Sequence, residues 1–573
     1  MMSMDNVLKE MEITPMLLKA IFLQHAGLPF RLTQLETNME MGICGGELRA
    51  AVPFLLREGK LEAVKNRSGE LLLRMNKEGL IMLANQWVAE DLIPYDPFKF
   101  VSDMECGENL IYTLLRWLAW IYYNGLAITA KGTLSRKTIT ALQQLTPFED
   151  VQLKGLQLVA QDDLPISIAL MLDILVKMTV LQLEAGQWKI QDANLQDWLN
   201  LDLSSANKKL LDILCQNYVP ARKYQQQVVA LLTCTNAQQG EICLLDKVLS
   251  KLQHTAFITS AVEKEQALWL DSWLYVLGQC GWLERGKLMN DLNDFSATVF
   301  RWREDQFNQM YEITQELNNV EQLLIIQPDF EILVSPNVDI ATRYELELMT
   351  ECVYSDVMSQ YRLTKRKYCL ALQSGLSWGL PVDLPAHISL AISDWTKETH
   401  LNKAKQTIMI EDQQTNRPLR EGTLKKVSKG RLADDTQFVQ SNPQLPPYLP
   451  YTDELNLPQI FPDLERVPLK WRQQLSSYHH STLRYLIEQA ITWQIKIELK
   501  LKEQCVCMIP TNICEELDGW RVVGAMTSPI VGLGEPVLQS IPSHQCYGAK
   551  LLVPDISADN VSTFYSDSCN NML

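Results

Sequence analysis

The chain has 573 residues, of which 47% are apolar and 21% are charged, a composition typical of a globular protein with about three to five domains. Its formal charge of −16 excludes a general attraction to nucleic acid, unless the charge is unevenly distributed. The thirteen cysteines show no pairing pattern, which predicts a reducing compartment.

The N-terminal residues lack a basic start followed by an apolar run, so we expect no signal peptide. The most apolar helix candidate, Leu110–Tyr123, contains Arg116 and is too short to span a bilayer. These features predict a cytoplasmic protein with no membrane partner.

Residues 1–100 follow the order of a winged helix, three helices and then a hairpin. The apolar spacing predicts a helix that begins at Pro15, a short helix at Leu32–Leu35 and a third helix after Gly46. Residues 58–74 predict two strands joined by a turn at Asn66–Gly69.

The third helix and the wing of such a domain usually contact DNA. Their basic residues in this chain are Arg49, Arg57, Lys65, Arg67 and Arg74. Because Glu47, Glu58 and Glu62 reduce the positive charge of this surface, binding of a protein instead of DNA remains an alternative.

The same order of elements recurs twice, although the sequences of the three regions do not repeat. Residues 101–200 and 201–315 each predict helices followed by a hairpin or strand. The predicted elements are helices at 110–123, Ser135–Leu145 and Ile166–Met178 with a hairpin at 180–190, then helices at Lys208–Leu214, Cys243–Leu252 and Lys264–Cys280 with a strand at Ala297–Trp302. We therefore predict an α+β, mostly helical fold that begins with tandem winged-helix-like domains.

Residues 316–400 predict a small α/β domain. Leu323–Val334 has the apolar composition of a buried strand, which Pro328 is expected to split at an edge or bulge. Thr364 is the expected N-cap of the next helix, and Gly375 is placed to end it, because glycine turns left-handed without steric cost.

The sequence of this domain also resembles a known family. The Gln-Pro-Asp-Phe stretch at 327–330, the Tyr-Arg-Leu-Thr step at 361–364 and the Ala-Leu-x-x-Gly-Leu ending at 371–376 are similar to the N-terminal domain of XPB-type DNA repair helicases. The same module occurs in bacterial helicase-associated proteins. The resemblance spans residues 322–397 and implies a helicase-associated role.

Residues 401–468 are first polar and basic and then rich in proline, which predicts a partly extended linker. Residues 469–555 predict a helix at Ser481–Thr492 followed by a small β-sheet. Its predicted strands are Ile495–Leu501, Cys505–Ile509, Trp520–Ala525 and Ala549–Val553. This helix and sheet resemble the WYL domain of bacterial regulators. Residues 556–573 are expected to form a disordered tail.

The motifs that would indicate catalysis are incomplete. Gly281–Leu288 fits the start of a phosphate-binding loop, but Leu288 replaces the Ser/Thr that holds Mg²⁺, and a helix precedes the loop where a strand is required. Gly375–Gly379 fits a nucleophile elbow, again after a helix. Cys505 and Cys507 fit buried structural thiols better than a zinc site, which needs four ligands. We expect no enzymatic activity, no metal and no cofactor.

Two basic clusters are the candidate nucleic-acid contacts. Arg362, Lys365 and Arg366 are spaced to lie together at a helix start, and Lys425, Lys426 and Lys429 lie in the linker. Each cluster also fits a solvated surface. The main hypothesis is a non-catalytic helicase-associated adaptor, in DNA repair or transcription, that binds DNA or RNA weakly and without sequence preference, a helicase, or both. The alternatives are a protein-only scaffold and a ligand-gated winged-helix transcriptional regulator.

Overall fold

The computed structural model describes most of the chain. The described residues are 4–127, 134–160, 164–184, 187–233, 241–253, 260–289, 295–303, 324–355, 358–379, 384–414, 438–440, 449–451, 460–502, 504–516, 519–527 and 537–554. Within them the fold is mixed α/β, and every paired strand is antiparallel to its neighbours.

The first hundred residues contain helices followed by a hairpin. Their elements are α1 (Met4–His25), a 3-10 turn (Leu32–Gln34), α2 (Gly45–Arg57), β1 (Leu61–Lys65), β2 (Leu71–Met75), α3 (Lys77–Val88), a 3-10 turn (Ala89–Asp91), β3 (Leu92–Pro94) and β4 (Phe100–Ser102). The expected helix start at Pro15 is wrong, because Pro15 lies inside α1. The expected second helix is a single 3-10 turn. The hairpin turn forms where predicted, since the side chain of Asn66 accepts the N–H groups of Ser68 and Glu70.

The next region contains the three helices and the hairpin predicted for residues 101–200, and it adds helices at 192–199 and 223–233 that were not predicted. It contains α4 (Leu110–Asn124), β5 (Leu126–Ala127), α5 (Arg136–Gln143), a 3-10 turn (Lys154–Leu156), β6 (Val159–Ala160), α6 (Ile166–Lys177), β7 (Leu181–Glu184), β8 (Gln187–Ile190), α7 (Asp192–Leu199), α8 (Leu203–Tyr218) and α9 (Lys223–Thr233). The Trp-rich helix α4 is buried along most of its length.

A five-stranded sheet follows, in the order β3-β9-β11-β10-β4. The new elements are β9 (Glu241–Leu244), α10 (Leu245–Gln253), α11 (Ser260–Gln279), β10 (Leu283–Met289) and β11 (Phe295–Trp302). The helix expected from Cys243 is wrong at its start, because residues 241–244 form β9. Residues 283–288 of the phosphate-loop pattern lie in strand β10.

Residues 324–414 form a four-stranded sheet, in the order β12-β13-β15-β14, with three helices. The elements are β12 (Leu324–Ile326), β13 (Glu331–Val334), α12 (Ile340–Met349), β14 (Glu351–Tyr354), β15 (Ser359–Arg362), α13 (Lys365–Gln373) and α14 (Ala386–Gln414). The split expected at Pro328 is present, but it is a turn between two strands rather than an edge or bulge. Residues 327–330 turn the chain, with Phe330 at φ +68°, so that β12 and β13 form a hairpin.

Both predicted ends of α13 are confirmed. The hydroxyl of Thr364 accepts the backbone N–H of Lys367 at 3.3 Å, which caps the first turn. Gly375 follows the helix at φ +88°, a left-handed conformation that disfavours other residues.

The C-terminal region forms a six-stranded sheet, in the order β18-β23-β19-β20-β21-β22, with one main helix. Its elements are a 3-10 turn (Leu464–Arg466), α15 (Leu469–Gln473), β18 (Ser476–Ser477), α16 (His480–Trp493), β19 (Lys496–Lys500), β20 (Cys505–Glu516), β21 (Gly519–Met526), β22 (Val537–Pro542), a 3-10 turn (Ser543–Gln545) and β23 (Gly548–Leu552). The predicted helix and the four predicted strands are all present, and β18 and β22 were not foreseen.

The described parts of 401–468 are attached to the rest of the molecule. Helix α14 continues to Gln414, and two short strands, β16 (Val439–Gln440) and β17 (Leu449–Tyr451), pair with β6 and β1. Asp173 on α6 accepts the backbone N–H of Phe438 at 3.0 Å. A linker there is therefore anchored at two places, and the division of the chain into domains stays a prediction.

The apolar side chains form several cores. We call residues 324–414, with their four-stranded sheet, the module. The largest cluster extends from α1 to β11 and includes Tyr344 and Leu348 of α12, through which the module packs on it. The module and the C-terminal sheet each have a core of their own. Among the described residues, no helix is both long and apolar enough to cross a membrane.

Candidate functional site

The predicted basic cluster at the start of α13 is largely neutralised by acids of the same chain. Strand pairing places Arg362 opposite Glu331, and its Nη2 lies 2.5 Å from Oε1 of that residue. Lys365 Nζ lies 2.7 Å from Oε2 of Glu398 on α14. These hydrogen bonds raise the pKa of both basic groups above their ordinary values. Two of the three predicted phosphate contacts are therefore already paired.

The remaining predicted contacts divide into two groups. Arg366 is exposed, and no ion pair to it occurs within the described residues. Lys425, Lys426 and Lys429 lie outside the described residues. The structure thus brings together only the cluster on α13, with one of its three cations unpaired.

The predicted DNA-contacting surface of residues 1–100 is also altered by contacts within the chain. Arg74 pairs with Glu62 at 2.5 Å across the hairpin. Arg57 and Arg67 are exposed and Lys65 is half-buried. Arg49, in contrast, is buried, because α2 packs on the C-terminal region.

We call this packing the clasp: residues Gly45–Ala50 of α2 against residues Trp493–Lys496 at the junction of α16 and β19. The N–H of Gly46 donates to the carbonyl of Gln494 at 2.8 Å. Arg49 donates to the carbonyl of Leu35 at 3.0 Å and to that of Trp493. A cation at the carbonyl end of α16 is favoured, since the helix dipole is negative there.

A buried ion pair lies at the centre of the clasp. Nζ of Lys496 is 2.9 Å from Oε1 of Glu47, and the two side chains are only 1% and 3% exposed. The other carboxylate oxygen of Glu47 accepts the N–H of Cys44 at 2.9 Å, which caps α2. Burial alone would lower the pKa of Lys496, but the charge and hydrogen bond of Glu47 together with the nearby Cys44 and Cys507 outweigh it, and the pKa is raised. The contact therefore favours the charged form of Lys496.

Two adjacent glycines allow the close approach of the two sides. A Cβ on Gly45 would overlap the side chain of Gln494, and a Cβ on Gly46 would overlap Cγ2 of Ile495 and lie 3.0 Å from the carbonyl oxygen of Gln494. A cleft of about 320 Å³ opens beside the clasp, lined by residues that include Arg49, Tyr485 and Gln489. The Gly-Gly pair at a helix start is the one sequence signal that could have indicated this contact.

A second buried polar network joins α4 to the four-stranded module. Arg116 binds both carboxylate oxygens of Glu108, at 2.6 and 2.8 Å, and its Nε lies 3.2 Å from Glu347 of α12. The hydroxyl of Tyr361 donates to Glu347 at 2.9 Å. Burial acts to raise the pKa of Glu108, yet the hydrogen bonds and charge of Arg116 hold it below its ordinary value. The network fixes the module against the N-terminal core.

The cysteines considered for zinc do not assemble into a site among the described residues. Cys505 is exposed, whereas burial raises the pKa of Cys507 to about 12, which disfavours the thiolate that binds metal. Within the part of the chain that the structure describes, no group of three or more His, Cys, Asp or Glu side chains is placed to hold a metal ion.

Comparison with known proteins adds no relative: no protein-family model matches the sequence, and no curated protein matches it.

Proposed function

We propose that this chain is a non-catalytic adaptor of the helicase-associated type, whose four-stranded module contacts a helicase. Residues 1–100 act in it as a winged helix, and contact with nucleic acid is secondary. The resemblance of residues 322–397 to the XPB-type N-terminal domain supplies the class of partner.

We favour a protein partner because two of the three basic residues at the start of α13 are already paired. Arg362 pairs with Glu331, and Lys365 pairs with Glu398. A phosphate would have to displace both carboxylates before it reached these cations. Phosphate contacts supply most of the energy of sequence-independent binding, so a surface whose cations are already paired binds nucleic acid poorly.

The hairpin of β14 and β15 is suited to a protein contact. Val353, Tyr354 and Met358 lie within six positions of one another and are 50%, 57% and 42% exposed. Aromatic residues and methionine are enriched at protein interfaces, and a group of exposed apolar side chains is a common mark of one.

The adaptor role is tested with a purified XPB-type helicase. Adding the wild-type chain should change the ATPase rate of that helicase, whereas the variant Val353→Asp/Tyr354→Asp should have less effect. Leu538→Asp is the matched control, since Leu538 is 72% exposed but lies on β22, outside the module. No effect of the wild type, or equal effects of all three proteins, would show that this hairpin is not a helicase contact.

The choice between protein and nucleic acid is tested by releasing the two cations. The variant Glu331→Gln/Glu398→Gln frees Arg362 and Lys365, and the control Glu263→Gln/Glu465→Gln removes two negative charges at exposed positions outside the module. If the module binds duplex DNA through these cations, the slope of log affinity against log salt should steepen by about 1.8, at about 0.9 for each phosphate contact. The adaptor proposal expects no difference between variant and control. Tight, salt-dependent binding by the wild type would instead favour a nucleic-acid adaptor.

A further inference from the structure

We propose that the C-terminal domain is an intramolecular inhibitor of α2: the clasp covers the N-terminal half of this helix, and duplex DNA binds there only when the clasp opens. The inference rests on the winged-helix interpretation of residues 1–100, which is part of the proposed function.

The clasp covers the positions through which a recognition helix contacts DNA. In helix-turn-helix proteins the N-terminal residues of the recognition helix contact the base edges. In α2 these residues are Gly45–Ala50, and every one of them is buried. Ala50 belongs to the core of the C-terminal domain. A duplex cannot reach this part of α2 while the clasp is closed.

Most of each core lies away from the clasp. Leu48, Val52 and Leu55 of α2 pack in the N-terminal core, and Ile497 and Leu499 of β19 pack in the C-terminal core. The contact between them consists of the backbone hydrogen bond from Gly46 to Gln494, the Arg49 contacts, the Glu47–Lys496 pair and the packing of Ala50 in the C-terminal core. Because desolvation offsets much of the attraction in a buried ion pair, such a contact adds less stability than apolar packing of the same size.

Opening the clasp changes the charge that α2 presents. The guanidinium of Arg49 loses its contacts with Trp493 and becomes available on the same helix as Arg57. Glu47 becomes exposed together with Arg49, and its negative charge repels phosphate. We therefore expect the open protein to bind duplex DNA with moderate affinity. The closed state therefore removes a cation as well as blocking access.

Two variants open the clasp by independent means. Gly46→Ala introduces a Cβ that overlaps Ile495, while alanine is favoured over glycine in the helix itself. Lys496→Met leaves the carboxylate of Glu47 buried without its partner, which is strongly unfavourable.

Each variant has a matched control. Gly27→Ala adds the same methyl group where the nearest atom lies 3.7 Å away. The double variant Glu47→Gln/Lys496→Met removes both charges and keeps a side chain that caps α2, so the clasp stays closed.

Hydrogen exchange at residues 45–50 measures opening, and fluorescence anisotropy with a labelled duplex measures binding. We expect faster exchange and duplex binding at least about tenfold tighter for Gly46→Ala and Lys496→Met, because apparent affinity scales with the fraction of competent molecules. Both controls should behave like the wild type. Adding Arg49→Gln to Gly46→Ala should abolish the gain.

Several outcomes would overturn the proposal. Faster exchange without tighter duplex binding means that the clasp hides no DNA surface, and unchanged exchange in both variants means that it does not open separately. A gain that survives Arg49→Gln, or that occurs only with single-stranded RNA, places the binding elsewhere or with another ligand. The helicase and charge-release experiments concern the module alone, so their failure is distinguishable from failure here.

Discussion

Replacing Arg116 with methionine should weaken the attachment of the four-stranded module to α4. Methionine keeps much of the side-chain volume, but the buried carboxylate of Glu347 and the largely buried carboxylate of Glu108 are then left without a cation. Breaking a buried ion pair in this way costs about 3–5 kcal/mol. In a cooperative unit of about 150–250 residues that cost lowers the midpoint of unfolding by roughly 6–20 °C.

The assay is thermal unfolding at neutral pH, read at the first transition because a chain of several domains does not unfold in one step. Hydrogen exchange in α4 and α12 should rise in the same variant. The triple variant Glu108→Gln/Arg116→Met/Glu347→Gln should recover much of the loss, since no charge stays buried. Arg31→Met, which breaks an exposed pair with Glu70, is the control and should change little.

The loss in Arg116→Met should also depend on pH. Burial already raises the pKa of Glu347, and removing the nearby cation raises it further. A carboxyl whose folded pKa lies above its unfolded value stabilises the fold as pH falls, so the defect should shrink between neutral and mildly acidic pH. A midpoint lowered no more than in Arg31→Met, or a loss independent of pH, would refute this account of the network.

Two further predictions concern single groups, the half-buried His25 and the buried Asp173. Burial lowers the pKa of His25, which stacks on Phe30. As pH drops below the ordinary value of 6.5, the unfolded chain therefore binds a proton before the folded protein does, and the melting temperature should fall. His25→Phe should reduce that fall, and an equal fall in both proteins would contradict this assignment. Asp173 accepts the N–H of Phe438, so Asp173→Ala should make the peptide bond after Phe438 sensitive to chymotrypsin. The control Asp192→Ala should not have this effect. Resistance in both variants would show that the Asp173 carboxylate does not hold the segment.

Local features of the fold were predictable because they depend on neighbouring residues. The first three helices of 101–200, the hairpin turn at Asn66–Gly69, the cap at Thr364 and the left-handed Gly375 each follow from side chains within a few positions. The split at Pro328 was predicted as an edge or bulge, but the reversal of the chain was not, since Pro328 alone does not reveal that Phe330 adopts a positive φ.

Features that depend on distant pairing were not predictable from composition or periodicity. Strand β17 pairs with β1 although the partners Ala63 and Tyr451 are 388 positions apart, and the five-stranded sheet takes β3 and β4 from residues 92–102. A two- or three-residue strand has too little pattern to specify a partner. The clasp belongs to the same class, because Arg49 meets a carbonyl of Trp493, and a backbone group leaves no signature in the sequence.

The fate of the basic residues has a common physical cause. The chain has 68 acidic residues for 52 Lys and Arg, so a cation on its surface is surrounded on average by an excess of acids. Arg362 and Lys365 find Glu331 and Glu398, which lie 31 and 33 positions away in the sequence, and a count of local charge does not register such partners. A basic cluster in an acidic protein therefore indicates a phosphate site only after its acids have been located. By that criterion Arg49, held by carbonyl groups rather than by an acid, is a cation that opening of the clasp would release, and on our proposal α2 is where nucleic-acid binding should be sought first.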